Sequence, residues 1–170
     1  YTGEGLSDLS LTDRATICNM GAELGATTSV FPTDENALAY LKQQGREDEY
    51  VEMKADDDAA YDETIEIDMS TLVPMVAQPH SPDNVVDVKE LEGMKINQVV
   101  IGSCTNSSLP DMMRAAKILK GRKVAEDVSL VIAPGSSSIL SMLAQNGALA
   151  DMIHAGARIS RPARIFIRIF

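Results

Sequence analysis

The chain has 170 residues, 45% of them hydrophobic and 24% charged, with a formal net charge of −10. That length accommodates one full domain or two small ones, and the composition is that of a globular protein able to bury a core. The acidic balance repels phosphate backbones, which argues against nucleic acid as a partner, and no apolar run reaches the roughly 18 to 20 residues of a membrane span.

The opening "YTGEGLSDLS" has neither the basic nor the apolar region of a secretory signal. It also lacks a methionine, so the chain is expected to be a piece of something longer. Residues 13–25, "DRATICNMGAELG", predict a helix in which Ala15, Ile17, Met20 and Leu24 recur at helical intervals and Gly25 is the stop. "TDENALAYLKQQG" predicts a second helix, with Thr33 or Asp34 as N-cap and Gly45 at its end. An acidic stretch follows, running from Glu47 to Asp68 and opposed within it only by Lys54. Its Asp56-Asp57-Asp58 run lacks the ligand spacing of a calcium loop and reads as a solvated face.

"TIEIDM", residues 64–69, alternates Ile65 and Ile67 with charged or polar partners and predicts a half-exposed strand. "VAQPHSPDN" then breaks all periodicity and marks the expected boundary between two lobes, 1–78 and 79–170. Beyond it, "INQVVIG" predicts a strand ending at Gly102, and "LPDMMRAAKILKG" a helix opened near Pro110 and closed by Gly121. "VSLVIAPG" predicts another buried strand and "SSSILSMLAQNG" another helix. This alternation implies parallel strands with right-handed crossovers. The expected fold class is therefore α/β, a layered α/β/α arrangement of mixed, mainly parallel sheets in two small lobes. In such sheets ligands collect at the carboxyl ends of strands, so "GSCTNSS" and "PGSSS" should lie side by side.

Cys18 and Cys104 are the only cysteines. They supply no disulfide framework and fit a reducing, cytoplasmic compartment. Cys104 stands among hydrogen-bonding residues after a strand and before a helix, where the helix N-terminus favours a thiolate. It is a candidate nucleophile, a candidate cluster ligand or a bystander thiol. Nucleophilic catalysis would need a histidine base, and only His80 and His154 exist. His80 sits in a proline-rich turn, too close in sequence to Ser81 and Asp83 for the three to converge as a triad, and His154 reads as a surface or helix-packing residue. Glu23 lies beside Gly21 and Gly25, where a ligand could approach a carboxylate closely; an ordinary helix-surface glutamate is the plainer alternative. Asn19 has the same two readings, as a partner for sulfur or as a surface amide.

Taken together, "ATICNMGAELGATTSVFP" (15–32), "PHSPDN" (79–84), "IGSCTNSS" (101–108) and "APGS" (133–136) resemble, in order, segments of the aconitase family. The resemblance extends to about Ile159. "CNMGAE" is closer in wording to aconitase proper than to the isopropylmalate dehydratases. The resemblance implies a hydro-lyase that interconverts citrate and isocitrate, tricarboxylates, through cis-aconitate on a [4Fe-4S] cluster. It further implies that Cys104 is the first cluster ligand and Glu23 the active-site carboxylate. Asn19, Ser103, Thr105 and Asn106 would line the cluster pocket.

The chain departs from the family after "AGARI", where a segment of the form A-C-G-P-C should supply the other two ligands. The counterparts are Arg164 and Ile167. One thiolate cannot hold a cluster that needs three or four, so the chain by itself is expected to be inactive: a piece covering the second domain (1–78) and part of the third (79–170) of such an enzyme. Its tail, with Ile165, Phe166, Ile167, Ile169 and Phe170 spaced by arginines, is expected to promote self-association. A sister hydro-lyase, or a non-catalytic binding module, are the alternatives.

Overall fold

A computed structural model describes residues 1–103 and 105–162, which form two compact units, Tyr1–Met94 and one beginning at Lys95. It holds helices, a parallel sheet and an antiparallel strand pair, the mixed α/β class that the sequence predicts. Cys104 and the tail from residue 163, with its expected self-association and its positions 164 and 167, lie outside the described residues.

In the first unit, helix α1 (Leu11–Met20) is opened by a capping box, in which Ser10 Oγ accepts from the Asp13 amide at 3.3 Å and the Asp13 carboxylate accepts from the Ser10 amide at 3.1 Å. The α-helix stops at Met20, earlier than its apolar spacing predicts. Residues Gly21–Leu24 tighten into a 3-10 turn that ends at Gly25, whose φ of +78° suits glycine. The cause is the chain's return over this point: the Ala26 amide bonds the Gly21 carbonyl at 3.1 Å, and Ser29 packs where a Gly21 side chain would be.

The face of α1 that packs is not the apolar one. Leu24 is exposed, and the buried side chain is Arg14, 2% accessible. Its guanidinium donates to the Leu6 carbonyl at 2.7 Å and to Asp34 Oδ2 at 2.5 Å, and lies 5.8 Å from the Phe31 ring centre. Asp34 also caps helix α2 (Glu35–Gln43), accepting from the Ala37 amide at 3.1 Å. One carboxylate thus ties the two helices together.

The Arg14 guanidinium holds the Asp34 carboxyl below its usual range, with the Ala37 amide assisting. A depressed folded-state pKa means that protons bind the unfolded chain better, so this stabilisation is present above about pH 4 and is lost as pH falls through the folded value. Asp34→Asn keeps the cap and removes the charge. With the carboxylate partly exposed, it is expected to cost about 1 kcal/mol at neutral pH. The gap from the parent in urea midpoint should narrow as pH falls below the unfolded value and close once it has passed through the lowered folded value; a gap unchanged with pH would contradict this account.

No strand forms at 64–69: Ile65 and Ile67 are 76% and 68% exposed, in irregular chain without a pairing strand. Alternation alone does not make a strand when no neighbour completes the ladder. The proline-rich segment expected as a boundary is instead the turn joining β1 (Met75–Ala77) to β2 (Val85–Asp87), closed by the Gln78 amide on the Asn84 carbonyl at 2.8 Å. The compact units divide further on, between Met94 and Lys95.

The second unit follows its predicted alternation. Strand β3 (Gln98–Gly102) leads to α3 (Leu109–Leu119), then β4 (Ser129–Ala133), α4 (Ser137–Gln145), α5 (Ala148–Ala155) and β5 (Arg158–Ile159). The sheet is parallel, in the order β3-β4-β5. Leu130 and Ile132 of β4 point into a core built from Met112, Ala115 and Ala116 of α3, Leu143 of α4, and Ala148 and Met152 of α5. All three helices pack on one another over this one face of the sheet.

Candidate functional site

Strands β3 and β4 run in register, Gly102 opposite Ala133, so both following loops leave the sheet at the same edge. The predicted neighbourhood of "GSCTNSS" and "PGSSS" is borne out. Two hydrogen bonds join the loops, the Ser103 amide donating to the Ala133 carbonyl at 3.2 Å and the Gly135 amide to the Ser107 carbonyl at 3.3 Å, and within the first loop Ser107 Oγ donates to the Ser103 carbonyl.

Two glycines make this approach possible. At Gly102, with φ +125°, a Cβ would stand 2.7 Å from the carbonyl carbon of Ala133 and nearer still to its oxygen. At Gly135 it would stand 2.5 Å from Ser107 Oγ. Ser103 itself adopts φ +83°, a left-handed conformation that costs a non-glycine residue about 1–3 kcal/mol and is held here by the surrounding bonds. The chain on either side of Cys104 is therefore set by its neighbours.

Helix α3 begins immediately afterwards. Ser108 Oγ accepts from the Asp111 amide at 3.4 Å, the Asp111 carboxylate accepts from the Ser108 amide at 3.2 Å, and Pro110 occupies the first turn. Ser136 caps α4 in the same way, accepting from the Ile139 amide at 3.2 Å. Two helix N-termini thus flank the loop edge, a setting of positive potential that suits an anionic group. Ser103 and Asn106 are exposed and Thr105 is half-buried. Ser107, only 5% accessible, is the residue that fastens the loop. Sequence reasoning missed it, and nothing local distinguishes it from the serine that follows.

Glu23 and Asn19 belong to the first unit. Asn19 is in the last turn of α1 and Glu23 in the 3-10 turn beyond, both exposed. Gly21 is buried between them, so the turn presents polar groups around a close-packed backbone. The Cys18 thiol donates to the Ser29 carbonyl at 3.7 Å. His80 lies in the β1–β2 turn, beside an Asp83 carboxylate whose pKa is lowered by the Ser81 hydroxyl. His154 is exposed on α5.

Among the described residues no three His, Cys, Asp or Glu side chains gather closely enough to hold a metal ion. The whole chain has two cysteines. A [4Fe-4S] cluster takes three or four protein ligands. The residues present do not fit a complete cluster site.

Comparison with known proteins matches residues 1–93 and 88–163 to the model of the aconitase family (aconitate hydratase). The chain is 42% identical over 162 residues to the 3-isopropylmalate dehydratase large subunit 2 of Archaeoglobus fulgidus, a match covering 95% of this chain and 39% of that protein. It is 46% identical over 162 residues to the 3-isopropylmalate dehydratase large subunit of Clostridium kluyveri, covering 95% and 38%. The chain therefore spans about two fifths of the length of these curated relatives. The expectation of an aconitase proper, drawn from "CNMGAE", is widened by these matches, since the relatives carry the name of a sister hydro-lyase.

Proposed function

We infer, from a chain that belongs to the aconitase family, that it forms part of the large subunit of a hydro-lyase that removes water from, and returns it to, a small hydroxy acid. The observation that carries this reading is the ordered family match through both the Glu23 turn and the Cys104 loop.

Within that reading, Glu23 exchanges a proton with the departing hydroxyl or incoming water, a role that an accessible carboxylate on a short turn can fill. Cys104 supplies one thiolate of a [4Fe-4S] cluster in the whole protein, the other ligands coming from beyond this chain's cysteines. Asn19, Ser103, Thr105 and Asn106 surround that group with hydrogen-bonding atoms. The unit Tyr1–Met94 then corresponds to the family's second domain and the unit from Lys95 to part of its third, the boundary expected at 78/79 falling inside the β1–β2 hairpin. A companion small subunit is the expected partner, in keeping with the relatives' names.

The proposed substrate is 3-isopropylmalate, after those relatives. Citrate or isocitrate is the second reading, favoured by the "CNMGAE" segment. A chimera tests both: the Clostridium kluyveri large subunit, with its matching stretch replaced by residues 1–162 of this chain, is assembled anaerobically with its small subunit. Isopropylmalate dehydration is expected; a preference for cis-aconitate would favour the second reading, and a folded chimera inert toward both would overturn the assignment.

A further inference from the structure

Two glycines bracket Glu23, and the backbone demands only one of them. Gly25 has φ +78° and open space where a side chain would stand. Gly21 has φ −57°, a helical conformation in which alanine is ordinarily the better residue. Space is what requires glycine there. A Cβ on Gly21 would overlap Ser29 Oγ, with Ser29 Cβ at 3.5 Å and Ala26 Cβ at 3.9 Å.

Ser29 is itself held in place. The Cys18 thiol donates to its carbonyl at 3.7 Å, so residues 18 and 29 close a loop that carries the Glu23 turn. Two further bonds fix the turn around Glu23: the Gly25 amide donates to the Ala22 carbonyl and the Ala26 amide to the Gly21 carbonyl, both at 3.1 Å. The Glu23 side chain is exposed and takes its position from this backbone. A proton-transfer group must lie within hydrogen-bond reach of its target, and a misplacement of about 1 Å can lower a rate by about 10²-fold.

We propose that Ser29 and Gly21 form a clasp that aims Glu23, with Ser29 a positioning residue that acts through the Gly21 backbone it packs against. The proposal rests on the reading of Glu23 as the proton-transfer group.

The test exchanges the two residues in the chimera described above. Gly21→Ser alone forces a side chain against Ser29 and is expected to lower kcat by ~10- to 10²-fold, while KM moves by less than ~3-fold. Gly21→Ser combined with Ser29→Gly moves that side chain to the opposite wall of the contact, and should bring kcat back to within ~3-fold of the parent. A second readout needs no catalysis. In the 170-residue chain, NMR-detected exchange of the Gly25 and Ala26 amides should be at least ~10-fold faster in Gly21→Ser and return to the parent rate in the double variant.

Parental kcat in Gly21→Ser, with the Ser29 hydroxyl merely turned aside, would overturn the proposal, as would unchanged amide exchange. A double variant as slow as the single one would also overturn it, because the two positions would then act independently. Glu23→Gln, measured beside them, separates the two levels of the argument. If it lowers kcat and Gly21→Ser does not, the clasp alone fails; if it leaves kcat unchanged, the reading of Glu23 falls and the clasp with it.

Discussion

Gly102→Val is expected to break the junction between β3 and β4 and to destabilise the second unit by about 3 to 5 kcal/mol, most of what a small domain possesses. Two costs combine. The backbone at φ +125° is one that L side chains rarely adopt, and the new Cβ would enter the Ala133 carbonyl that pairs with the next residue's amide. The β3–β4 ladder would have to open at its loop end. Gly121→Ala is the control, because its φ of +70° carries strain without any atom within 4 Å, and about 1 kcal/mol is expected there. Urea unfolding followed by circular dichroism separates the two. Equal midpoints would show that the contact with Ala133 is not what demands glycine.

The second large effect concerns chemistry. In the chimera, Glu23→Gln is expected to lower kcat by about 10²- to 10⁴-fold, the range for removing a positioned acid–base group. KM should change little, because an amide of the same shape retains the hydrogen-bonding surface. Glu23 is exposed on a short turn, and no hydrogen bond or ion pair of its side chain supports the fold among the described residues, so the melting temperature should stay within a degree or two of the parent. Unchanged kcat would remove Glu23 from the reaction. Loss of both activity and stability would assign it a structural role instead.

The second unit was the more legible in the sequence. Its strands β3 and β4 are rich in β-branched residues, its helices α3 and α4 begin at serine caps with proline or small residues following, and Gly121 and Gly147 fall just past helix ends. These are local signals, and the parallel alternation they imply places the two loops at one edge. Helix α5 and strand β5 went unread: β5 has only two residues, and "ALADMIHA" follows the preceding helix after only Asn146 and Gly147.

The first unit resisted for a different reason. Its order depends on contacts between residues distant in sequence. Arg14 is buried because Leu6, Phe31 and Asp34 converge on it, and no periodicity announces a buried cation. The strand expected at 64–69 failed for the complementary reason, since its local pattern was right but no partner strand was available. At the candidate site, residue types were legible, but the fastening of the loop by Ser107 and Gly135 was not. That required knowing that the Ser103 carbonyl would accept from the Ser107 hydroxyl and the Ser107 carbonyl from the Gly135 amide.

The burial of Arg14 has a thermodynamic consequence. In the first unit Ala37 is the one apolar side chain buried among the described residues, and a guanidinium fills the place that aliphatic groups usually take. Heat-capacity increments and denaturant slopes both scale with the nonpolar area released on melting. The first unit should therefore contribute little to either, and its free energy should follow a shallow curve with temperature, while the second, with its methionine- and isoleucine-filled interior, sets the calorimetric signature of the chain.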